Sequence, residues 1–147
     1  MPRMLNVFAG HKCSDPTATT SAFKGLLITG NGNGPSRAVE IIDLNTKQQC
    51  RLTDLSEGRS QHAQVDDIIC AGRLETGAGT QDCISVADRT KKWNLLEPRA
   101  GLQMWKRSDG KLLVIGGSRT KTTEVLTDDG GSEYSFQLKS PNGYVSF

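Results

Sequence analysis

The sequence predicts an all-β protein, and three observations carry that prediction. Apolar runs are short, rich in Val, Ile and Leu, and bounded by Gly, Asn, Asp and Ser, which is the pattern of strands between turns. No stretch sustains a helical period, while sixteen glycines spread through 147 residues call for many tight turns. Finally, three apolar runs end in a glycine turn at a steady interval. They are Leu26-Leu27-Ile28-Thr29-Gly30, Asp67-Ile68-Ile69-Cys70-Ala71-Gly72 and Leu112-Leu113-Val114-Ile115-Gly116-Gly117. Gly30 to Gly72 is 42 positions and Gly72 to Gly116 is 44.

A period in this range marks a propeller blade or a solenoid turn, and strand-forming residues favour the blade. After each glycine turn and a polar gap comes a second strand: Val39 to Leu44, Cys83 to Asp88 and Thr123 to Leu126. A further strand follows at Cys50-Arg51-Leu52, at Trp93 to Leu96 and at Tyr134 to Leu138, which sets Cys50 and Trp93 at one repeat position. Links of similar composition, Leu55 to His62 and Leu96 to Gly101, lead into the second and third units and place Arg59 opposite Arg99. Tight turns at Asp66-Asp67 and Ser108 to Lys111 precede the glycine-ended strands. Asp-Gly between apolar runs is a hairpin signal, because the turn needs positive φ.

Composition narrows the function classes. With 35% hydrophobic and 23% charged residues the chain can bury a core. Eighteen basic against sixteen acidic residues leave a net charge of +2, too balanced to point to nucleic acid or an anionic membrane. No apolar stretch approaches the roughly 20 residues that cross a bilayer. Met1 to Gly10 is too short and interrupted for a secretory signal.

The order Arg-x-x-His, a strand ending in Gly-Gly, a strand ending in Asp, then Trp resembles the kelch repeat. The tail from Thr122 to Gly131 is similar to secreted, cysteine-containing kelch proteins of animals. The resemblance spans about residues 20 to 147 and implies about three four-stranded blades of a β-propeller. Their expected bounds are 19–55, 60–97 and 101–139, after an N-terminal segment 1–18, with 143–147 as the first strand of a further blade. In that architecture Gly30, Gly72, Gly116 and Gly117 serve sharp turns, and Trp93 packs between neighbouring blades. Arg59 and Arg99 would hydrogen-bond backbone carbonyls between blades. Propellers have about four to eight blades. The ring is therefore incomplete: either the chain is a fragment of a longer propeller, or a homodimer closes about six blades.

Cys70 and Cys83 lie on consecutive strands flanking the loop 73–81, where hairpin partners would face each other at disulfide distance. The kelch-like proteins that the chain resembles carry such a pair. Cys13 and Cys50 remain as a second candidate bridge. Disulfides imply an oxidising, extracellular or secretory compartment, whereas four buried thiols would suit the cytoplasm.

No catalytic constellation emerges. Kelch-type copper oxidases related to galactose oxidase need two tyrosines, two histidines and a cysteine. Tyr134, Tyr144, His11 and His62 are present without a matching motif. Gly30-Asn31-Gly32-Asn33-Gly34 leads through Pro35 into a strand rather than opening a helix, so it is not a phosphate loop. The expected function is thus a non-catalytic binding module for a protein or peptide, without a cofactor or metal. A decayed carbohydrate-related propeller is the alternative. The loops 31–37, 54–60, 73–81, 97–101 and 118–121 would share one face, carrying Arg37, Arg59, Arg73, Arg99 and Arg119. Arginines bind carboxylates bidentately, so an acidic peptide or sugar acid is the expected ligand.

Overall fold

A computed structural model describes residues 4–8, 25–31, 34–44, 47–118 and 120–140. Among these the protein is all-β, with no helix, and its strands form three antiparallel sheets. The first sheet runs β1 (Met4–Phe8), β2 (Gly25–Asn31), β3 (Gly34–Asp43) and β4 (Gln49–Arg51), each pairing with the next. Two short strands, β5 (Arg59–Ser60) and β8 (Arg73–Leu74), extend it from the start of β3, so this sheet curls towards a half-barrel.

The second sheet contains β6 (Ala63–Val65), β7 (Ile68–Cys70), β9 (Thr80–Ser85) and β10 (Lys92–Arg99). The third contains β11 (Gln103–Lys106), β12 (Leu112–Ile115), β13 (Thr122–Leu126) and β14 (Ser132–Gln137). Both are meanders, in which each strand pairs with the strand before it. The turn between β6 and β7 needs Asp66 at φ 51°, and the one between β11 and β12 needs Gly110 at φ 85°. Asp and Gly tolerate that left-handed region, which explains the tight hairpins.

The period-2 alternation of side chains builds two cores on the two faces of the second sheet. Ile69 turns to one side and packs with Leu27, Val39 and Ile41 of the first sheet, joined by Leu55 and Val86. Cys70 turns to the other side and packs with Ala63, Cys83 and Leu95, and with Met104, Leu112, Val114 and Leu126 of the third sheet. The second sheet is thus the middle layer, covered on both faces. Its short apolar run Ile68-Ile69-Cys70 is therefore continuous rather than alternating.

At the end of each central strand the chain enters the left-handed region. The residues are Gly30 (φ 75°), Ala71 (φ 58°) and Gly116 (φ 64°), each following the position paired with the next long strand. The register therefore equates Gly30 with Ala71, one residue earlier than the glycine spacing suggests. Gly72 is required for a different reason: a Cβ there would lie 2.5 Å from the Ser60 carbonyl oxygen. Gly72 also donates its N–H to the Arg99 carbonyl at 2.7 Å, at the end of β10.

Candidate functional site

The five arginines expected on the loop face have different fates. Arg59 is buried and donates to the carbonyls of Ala71 (3.2 Å) and Asp82 (3.4 Å) and to both Asp82 carboxylate oxygens. Arg99, 1% exposed, donates to the carbonyls of Gly116 and Thr122, both at 2.8 Å, and twice to Glu124 Oε2. The sheet register equates Ala71 with Gly116 and Asp82 with Thr122. One arginine clamp is therefore repeated in two successive sheets. Each guanidinium fastens a link onto the glycine turn and the following strand, and each brings its own carboxylate.

Arg37 is exposed and forms a two-pronged pair with Glu75, which holds the Glu75 carboxyl below its usual range. This contact, with the pairings Ser36 to Arg59 and Ser60 to Arg73, gathers the segments around 36, 59 and 74 on one face. The carboxylates opposite Arg37, Arg59 and Arg99 are supplied by the chain itself. Arg73 is exposed in β8, and Arg119 lies outside the described residues.

Cys70 and Cys83 sit directly opposite each other in the β7–β9 ladder and form a disulfide, with Cα atoms 4.0 Å apart. Cys50 is also disulfide-bonded, while Cys13 lies outside the described residues, as do His11 and Tyr144. Trp93 packs against the core between the second and third sheets, and its indole N–H donates 3.0 Å to the Thr127 carbonyl. Trp93 pairs with Cys83, whereas Cys50 pairs with Ile41 and Leu52 bonds to Val39. Leu52, not Cys50, therefore occupies the Trp93 position. The mismatch arises because spacing counts residues through loops of unequal length.

His62 is buried at the junction of the first two sheets. Thr29 Oγ1 lies 2.7 Å from His62 Nε2 and donates to Gln64 Oε1 at 2.9 Å. That hydroxyl has spent its one proton on Gln64, so the imidazole donates through Nε2 and leaves Nδ1 as a bare acceptor. Nδ1 has no hydrogen-bond partner. Burial, then the positive charge of Arg59, lowers the His62 pKa to about 4. A neutral, enclosed histidine of this kind locks two sheets together; it is not placed to act on a ligand. Among the described residues no group of three His, Cys, Asp or Glu converges on a metal position.

Sequence reasoning missed the groove between the second and third sheets. Glu97, Thr122, Tyr134, Ser135, Phe136 and Gln137 enclose about 390 Å³, within the range typical of ligand pockets. Tyr134 and Phe136 alternate along β14 and stand 55% and 52% exposed. Glu97 accepts from Thr122 Oγ1 and from Thr120 Oγ1 at 3.3 Å, and lies 3.5 Å from Arg99. The Thr122 hydrogen bond, against some desolvation and helped by Arg99, holds its carboxyl below the usual range. Partial desolvation, then the Glu97 charge, raises the Tyr134 pKa. The signal was available in principle: Tyr134-Ser135-Phe136 reads as a strand with two aromatics on one face.

The assembly defines a class, an all-β protein of three stacked antiparallel sheets tied by buried arginines, with a cross-strand disulfide inside the middle one. The sequence matches no protein-family model and no curated protein.

Proposed function

We propose that the protein is a non-catalytic binding module of kelch-type propeller blades that receives a protein or peptide partner outside the cell. Two successive four-stranded meanders packed face to face, with the same arginine clamp at the same register, support the blade reading. The Cys70–Cys83 disulfide is consistent with an oxidising compartment. Three blades need further blades for closure, which a second copy supplies in this reading. A solution mass equal to one 15.9 kDa chain refutes that part.

The observation that carries the binding reading is the groove rimmed by exposed Tyr134 and Phe136. Aromatic side chains are enriched where proteins meet, because they bury a large area at low entropic cost. The test is selection from a displayed random-peptide library on the oxidised protein, followed by titration of the enriched sequences. Expected is a peptide family that binds with a dissociation constant of about micromolar order. Absence of any enriched family, or binding of neutral glycans in its place, overturns the reading.

A further inference from the structure

We infer that the groove between β10 and β14 receives a basic side chain of the partner, with a guanidinium favoured over an ammonium. The inference rests on the binding-module reading above and names the chemistry of that site.

The first argument is charge. Arg99, Glu124 and Glu97 form one cluster, with Arg99 at 2.7 Å from Glu124 and 3.5 Å from Glu97. One guanidinium faces two carboxylates. Arg99 and Glu124 are fully enclosed and spend themselves on each other, so the unmatched negative charge belongs to Glu97. Its side chain is 32% exposed and opens into the groove.

The second argument is the direction of the hydrogen bonds. Thr122 gives its hydroxyl proton to Glu97. Thr120 Oγ1 lies within hydrogen-bond distance of both Glu97 and Thr122. A carboxylate accepts and does not donate, so the ligand group that meets Glu97 has to bring N–H or O–H donors. A guanidinium brings several of them together with the opposite charge, which a neutral sugar hydroxyl lacks.

The third argument is the rim. Tyr134 and Phe136 stand two apart on one strand and line the groove beside the carboxylate. Cations are attracted to aromatic faces, and the planar guanidinium also stacks on them, which an ammonium cannot do.

The test uses the oxidised 147-residue chain and four probes: the capped peptide Gly-Ser-Arg-Ser-Gly, its lysine and citrulline counterparts, and cellopentaose. Backbone amide shifts are followed by NMR. Saturable shifts at Thr122 and at 134–137 are expected with the arginine peptide, with citrulline binding at least about fivefold more weakly. Glu97→Gln and Phe136→Ser are each expected to weaken the arginine peptide by a similar factor. Unchanged shifts elsewhere show that the variants keep the fold. Equal binding of citrulline, shifts from cellopentaose alone, or no shift at the groove each overturn the inference. If library-selected peptides bind but shift amides on another face, the module reading survives and the groove assignment fails. If none binds anywhere, both fail.

Discussion

Replacing Arg99 by methionine tests the physical account most directly. Arg99 is the sole guanidinium against Glu124, and both side chains are fully buried. Methionine keeps much of the volume and removes the charge. Glu124 would then be an enclosed carboxylate without its cation, which costs about 3–5 kcal/mol. The Gly116 carbonyl loses a charged donor, worth about 1.5–3 kcal/mol, while the Thr122 carbonyl keeps the Gly116 N–H at 3.1 Å. The sum, about 5–8 kcal/mol, is a large share of the roughly 5–15 kcal/mol that holds a domain together. Urea denaturation followed by tryptophan fluorescence, with the disulfide intact, reads the loss. The single variant is expected to be at the edge of folding. The double variant Arg99→Met with Glu124→Leu should recover much of the loss, because no charge is left unpaired. A single-variant loss below about 1 kcal/mol would refute the reasoning, since a dry, unpaired carboxylate cannot be that cheap. A double variant as unstable as the single one would place the loss in the Gly116 carbonyl left without its Arg99 donor instead.

Further outcomes follow from other parts of the structure. His62 is neutral in the fold, with its pKa lowered to about 4 from an ordinary 6.5, so its stabilising contribution is complete above pH 6.5 and is lost as pH falls towards 4. Relative to a His62→Gln variant, the protein should lose about 2–3 kcal/mol between pH 7.5 and 4.5; parallel stability-pH curves would contradict this. Cys70→Ser with Cys83→Ser removes a bridge across a short loop and should lower stability by about 2–4 kcal/mol, read from the urea midpoint without reductant. Gly72→Ala should cost more than about 1 kcal/mol, because its Cβ meets a backbone oxygen at φ 100°. Gly77→Ala, at φ 87° but with open space around it, should cost less in the same thermal-melt series.

How much of this was legible depends on the range of the interaction concerned. The strands around Leu26 to Thr29, Ile68 to Cys70 and Leu112 to Ile115 could be read directly, since alternation and turn residues are local properties. The Cys70–Cys83 bridge was legible because two strands joined by one loop have little choice of neighbour. Arg59 and Arg99 were found by their repeat position, and so were their bonds to backbone carbonyls. Their partners Asp82 and Glu124 were not, because neither carries a mark in the sequence that ties it to those arginines.

The sequence by itself determined the all-β class and the repeating strand-and-turn unit, because both depend on side-chain periodicity and on which residues accept positive φ. Only the tertiary structure decided the register, equating Ala71 with Gly30 and setting Leu52 at the Trp93 position, because ladder pairing selects partners by geometry and ignores loop length. Only the tertiary structure made the groove, since Glu97 and Phe136 are distant in the chain and meet where two sheets stack.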